Sequence, residues 1–114
     1  MGAAAAEMLA LSEDTAVGAV LMHGALPVQA FARERWPATV AVQVHYAADD
    51  GLVSREGVRE LHAQVEESGA TFEHHVYPTG GHLFAEPDVD GYDPGLAELM
   101  LSRVSTFVGR LADP

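Results

Sequence analysis

The sequence predicts an α/β domain: parallel strands in a sheet with helices packed on both faces, a three-layer α/β/α arrangement. Two short runs, residues 16–22 (AVGAVLM) and 39–46 (TVAVQVHY), are near-continuously apolar, as strands buried on both faces must be. Segments of helical character alternate with the strand candidates in the order helix, strand, strand, helix, strand, helix, and that order joins parallel strands through crossovers. At 114 residues with 48% hydrophobic and 20% charged side chains, the chain has an ordinary globular composition and enough apolar material for one core.

Each element has its own local warrant. Residues 1–11 (MGAAAAEMLAL) are strong helix formers, yet no Ser, Thr, Asp or Asn precedes them as a cap. The run 16–22 is stopped by His23-Gly24 and Pro27. Residues 28–37 (VQAFARERWP) read as loop, with room for one helical turn before Pro37 ends it. The valine-rich run 39–46 is the second strand. From Ser54 onward Val58, Leu61 and Val65 recur at helical spacing, and Gly69 stands where a left-handed C-terminal cap belongs. Residues 71–77 (TFEHHVY) form a third strand candidate, ended by Pro78 and Gly80-Gly81. Asp93-Pro94 supplies an N-cap and a first-turn proline, and Leu96, Leu99, Met100, Val104, Phe107, Val108 and Leu111 follow at helical intervals.

Charge and composition exclude several functions. The formal net charge of −11, from 17 acids against six arginines, repels phosphate backbones and anionic membranes, so nucleic acid is not an expected partner. The absence of cysteine removes disulfides, thiolate–metal sites and a cysteine nucleophile from within these residues. No apolar run approaches the ~20 residues of a membrane span, and the Ala-rich start lacks the basic segment of a secretory signal. A cytoplasmic protein is expected, with no cofactor and no metal. The run EPDVDGYD lacks the spacing and terminal glutamate of a calcium loop.

In parallel α/β sheets, functional groups gather on the loops beyond the carboxyl ends of the strands. Two polar clusters fall there: Ala-Ala-Asp49-Asp50-Gly51 after the second strand, and Thr-Gly-Gly-His82-Leu-Phe after the third. Neighbouring strand ends can bring an acid and a histidine together although they stand 32 positions apart. A carboxylate that accepts a hydrogen bond from an imidazole fixes its tautomer, leaving the other ring nitrogen to take a proton from a nucleophile. Asp50 and His82 suit those roles as two members of a triad. In α/β hydrolases the nucleophile precedes both, on a G-x-S-x-G elbow. None of the serines here (Ser12, Ser54, Ser68, Ser102, Ser105) is flanked by the required glycines. The opening Met1-Gly2-Ala3-Ala4-Ala5-Ala6 instead matches the stretch just after such a nucleophile: Met1-Gly2 would be the last two elbow positions, and the Met1 backbone N–H an oxyanion-hole donor.

These stretches together resemble the dienelactone hydrolase family, a branch of the α/β hydrolases acting on small esters and lactones. The resemblance spans essentially the whole chain. It is carried by MGAAAAEMLAL, GAVLMHGALP, HYAADDGLV, YPTGGHLFAEPD and the Tyr92-Asp93 lead into the last helix. It implies that residues 1–114 are a single partial α/β-hydrolase domain beginning just after the nucleophile. It also maps the family's acid onto Asp50, with Asp49 as the alternative, and its histidine onto His82. Some members hold a substrate carboxylate with an arginine shortly after that histidine; Glu86 stands in this region, which argues against an anionic lactone.

Plainer readings stand beside these. Asp-Asp-Gly is also a common turn signal, and a histidine between glycines and apolar residues can be a turn residue alone. His23-Gly24 is similar in composition to an oxyanion motif, yet no elbow comes after it, so a structural strand-end histidine is the better reading. His74 and His75 alternate across a strand and cannot grip one metal from the same side. Trp36 and Phe31 fit a substrate cleft or simple packing under a loop. Two functions are compatible with these residues: a hydrolase of small esters or lactones whose nucleophile is missing from this chain, inactive as it stands, or a non-enzymatic truncated product or binding module. Without a preceding strand, the edge of the first strand is also expected to promote self-association.

Overall fold

The computed structural model describes residues 2–12, 16–78, 88 and 92–112. Its elements are α1 (Gly2–Ser12), β1 (Gly18–Met22), a single 3-10 turn (Val28–Phe31), β2 (Ala41–Ala47), α2 (Arg55–Ser68), β3 (Phe72–Tyr77) and α3 (Pro94–Ala112). The strands lie in the order β1-β2-β3 and both pairings are parallel. The predicted class and element order are therefore observed: a parallel sheet with helices on both faces.

Alternation along β2 defines the two layers. Val42, Val44 and Tyr46 join Leu21, Val58, Leu61 and Val65 in the larger core, with Ala6, Ala10 and Leu11 of α1 packed on the same side. Ala47 and Tyr77 face the opposite way, against Met100, Leu96 and Val104 of α3. Thus α1 and α2 cover one face and α3 the other. Gly18 lets α3 close down on β1, since a Cβ there would collide with Leu111.

The caps fall where the sequence put them. Ser54 Oγ accepts from the Gly57 N–H at 3.0 Å, and Gly69 ends α2 in the left-handed region at φ 91°. Asp93 Oδ1 accepts from the Leu96 N–H at 3.0 Å and starts α3. Gly57 also marks a close approach, because a Cβ there would lie 2.8 Å from the carbonyl oxygen of Ala25, in the loop leaving β1.

The β1–β2 crossover contains no α-helix. Trp36, 2% exposed, fills it from below and donates its Nε1–H to the Val40 carbonyl at 2.8 Å. Trp36 is thus packed under the loop, where it also forms part of the wall of a cavity of about 350 Å³ shared with Glu34, Arg35, Gln64 and Glu67, and Phe31, half-buried, ends the 3-10 turn. Among the described residues no helix is long and apolar enough to cross a membrane.

Candidate active site

Parallel pairing brings the exits of β2 and β3 side by side. Ala47 is in register with Tyr77, and the ladder continues one step further through the Ala48 N–H, which donates to the Tyr77 carbonyl at 2.8 Å. The chain then turns: the Asp50 N–H donates to the Ala47 carbonyl at 3.3 Å and the Val53 N–H to that of Asp50 at 3.3 Å. The Asp50 side chain folds back to accept from the Leu52 N–H at 2.8 Å, an Asx turn that fixes the carboxylate. Asp50 is 6% exposed whereas its neighbour Asp49 is exposed. Of the two acids, only Asp50 is held inward at the sheet edge.

His82 lies outside the described residues, as do Met1, Gly80, Gly81 and Glu86. What the structure places is the point of departure: Tyr77, last residue of β3, sits beside the end of β2, so the segment carrying His82 leaves from the strand next to the Asp50 loop. At the end of β1, His23 adopts φ 69° and its N–H donates to the His45 carbonyl at 2.6 Å, ending the strand. His74 and His75 diverge as alternation requires: the His74 ring meets Tyr46 and Phe72 on the α2 side, while His75 stacks on His45 on the α3 side. Among the described residues no group of three or more His, Asp or Glu could hold a metal ion.

Beneath this edge runs a buried polar chain. The Gln43 amide donates to Glu73 Oε1 at 2.6 Å and to the Arg103 carbonyl at 3.2 Å, so its own carbonyl accepts from His45 Nε2–H at 2.8 Å. His45 Nδ1 is then an acceptor and the Tyr77 hydroxyl donates to it at 2.6 Å. This wiring requires a neutral imidazole. Burial lowers the His45 pKa to about 4, with His75 and Arg103 adding to the effect, and burial also raises Tyr77. The outer end is closed by Arg110, which grips both Glu73 oxygens at 3.0 and 2.8 Å. Glu73 stays below the usual carboxylate range, because the hydrogen bonds from Gln43 and Arg110 outweigh the opposing effect of its burial. The chain fixes the last residue of β3, from which the histidine segment departs.

A second buried acid, Glu7 of α1, is fully enclosed. Its Oε1 accepts from the Leu26 N–H at 2.7 Å, tying α1 to the loop after β1, and its Oε2 has no hydrogen-bond partner among the described residues. Burial pushes its pKa up to about 7, against a smaller lowering by the Leu26 bond.

The profile of the dienelactone hydrolase family matches residues 1–112. The chain belongs to this family. Its fold is similar to that of a dienelactone hydrolase from Klebsiella pneumoniae subsp. pneumoniae, with a TM-score of 0.69 at 20% identity. That match covers 96% of this chain and 47% of the other, so the chain spans about half the length of the solved structure. At such identity the likeness speaks for the fold. No curated protein matches the chain.

For this dienelactone hydrolase family chain, the polar chain and Glu7 are what sequence reasoning missed. The signal for the first was present: Gln43 and His45 stand two apart and so share one face of a strand that otherwise reads as apolar. Glu7 carried no such signal, since one acid in an Ala-rich helix usually marks its solvent side.

Proposed function

We propose that this chain carries the acid–base pair of a hydrolase of small esters or lactones, Asp50 orienting His82. The observation that supports it best is the buried, turn-locked Asp50 carboxylate beside the exit of the strand that leads to His82. In this reading His82 takes the proton from a nucleophile as it attacks the carbonyl and returns it to the leaving alkoxide. Asp50 holds the tautomer and stabilises the imidazolium between those steps. The nucleophile, serine or cysteine, comes from residues outside these 114, and the Met1 N–H helps hold the oxyanion.

The test is hydrolysis of p-nitrophenyl acetate by the 114-residue chain and by a chain extended upstream through a G-x-S or G-x-C segment. Activity is expected only in the extended form, and His82→Ala should lower its kcat by about 10² or more through loss of the general base. Full turnover in His82→Ala would remove that residue from the mechanism. Absence of turnover in both forms would favour a non-enzymatic role.

A further inference from the structure

Close to the exit of β2, a cleft of about 150 Å³ opens between the start of α2 and the α2-side face of β2 and β3, lined by Tyr46, Arg55, Val58, Arg59, His62 and His74. In a chain of net charge −11, this cleft gathers two of the six arginines and two of the six histidines. Arg55, Arg59 and His62 fall on one side of α2 at steps of four and three residues. Glu60 and Glu67 are carried to other flanks by the 100° helical step, Glu56 stands three residues before Arg59 but among the described residues makes no ion pair with it, and Glu66 follows on the same side, where it holds His62 Nε2 at 2.8 Å.

The arrangement runs against helix stability. Two like charges four residues apart repel, and Arg55 at the first position of α2 opposes the positive end of the helix dipole. Among the described residues neither guanidinium has an ion-pair partner, although acids outnumber basic residues nearly threefold. Such a local conflict is the pattern expected where a ligand supplies the missing counter-charge. Independently, Tyr46 is 6% exposed, lines the cleft, and its hydroxyl has no hydrogen bond among the described residues. The ring is buried while the hydroxyl itself is not sealed from solvent, so it is open to a group that enters the cleft. The walls are firm: the His62 ring stacks on Phe72 at 4.3 Å, and the His74 ring meets both Tyr46 and His62 edge-on.

We infer that this cleft is a binding site for a small oxyanion, the phosphate or carboxylate head group of a small molecule, held by Arg55 and Arg59 with a hydrogen bond from Tyr46. Guanidinium groups present paired donors that match either head group. The site lies between α2 and the sheet, beside the loop that carries Asp50, and none of its lining residues belongs to the triad proposed above.

Calorimetric titration of the 114-residue chain at pH 7 and low salt, with inorganic phosphate and separately with succinate, tests it. Saturable binding of at least one is expected, and the tighter of the two identifies the head group. Arg59→Gln should weaken that binding about tenfold or more, as should Arg55→Gln, and Tyr46→Phe severalfold. Arg33→Gln, on the β1–β2 connection and not among the lining residues, should leave it unchanged. Both cleft arginines are exposed, so these variants should keep the wild-type circular dichroism. Lack of saturable binding by either anion would overturn the inference, as would binding that survives Arg55→Gln and Arg59→Gln together or that Arg33→Gln weakens equally.

Discussion

Glu7 is enclosed with one oxygen unpartnered, so its ionised form is disfavoured in the folded chain, and replacing it by glutamine should stabilise the protein in a pH-dependent way. Its pKa is raised from 4.5 to about 7. Between those values the folded chain binds more protons than the unfolded one, so this group's contribution is fully present below pH 4.5 and is lost as pH rises through 7. At about 1.4 kcal/mol per pH unit, the loss approaches about 3 kcal/mol by neutral pH. His45 works in the opposite direction: its pKa is lowered from 6.5 to about 4, so its contribution grows as pH rises between those values. The two slopes nearly cancel between pH 4.5 and 6.5, and His74, which burial also holds below the usual histidine range, leaves the wild-type chain a shallow rise toward pH 6.5. Glu7→Gln removes one of them while keeping the hydrogen bond to Leu26. Urea unfolding of both proteins at half-unit steps from pH 4.5 to 7.5 is the assay. The variant's advantage should climb by about 1.4 kcal/mol per unit and level off above pH 7. A constant difference across the range would show that Glu7 ionises as it would in water, and the account of its burial would fail.

Gly57→Ala should destabilise although alanine favours helices by about 1 kcal/mol, because the new Cβ meets the Ala25 carbonyl at 2.8 Å and overpacking of this kind costs about 1–3 kcal/mol. A Tm lowered by about 4 °C is expected, and an unchanged or raised Tm would mean that the β1 loop yields freely. Among the described residues β1 pairs with β2 alone, and Met8, Leu9 and Val17 nearby are exposed. Sedimentation velocity of the 114-residue chain should therefore show concentration-dependent self-association, and a monomer that stays monodisperse at high concentration would contradict this.

Much of the architecture was legible because it rests on local chemistry. Ser54, Gly69 and Asp93-Pro94 each satisfy or end a helix by a hydrogen bond or a backbone angle that their residue type favours, and the helices begin and end there. The second strand was read from residue 39, yet β2 starts at Ala41. Val40 is drawn into the Trp36 turn, its N–H donating to Pro37 and its carbonyl accepting from the indole, and only tertiary packing reveals that. Asp50 was preferred to Asp49 on the resemblance alone, and which carboxylate turns inward becomes visible only through the Asx turn that Asp50 makes with the Leu52 N–H. The apolar look of β2 concealed a polar face, because a period-two pattern is hard to see when both faces are buried. The cleft on α2 was missed for a related reason: its arginines belong to one segment and its tyrosine to another, and only the packing of α2 over β2 and β3 brings them together.

The protein has a single tryptophan, and its place under the β1–β2 crossover makes it an optical reporter for one layer only. Its emission should shift when the α2 side loosens and Trp36 meets water, and should stay still while the His45–Gln43–Glu73 chain under α3 comes apart. Fluorescence and far-ultraviolet dichroism therefore need not trace the same unfolding curve. A gap between them would separate the docking of the two helical layers without any label being attached.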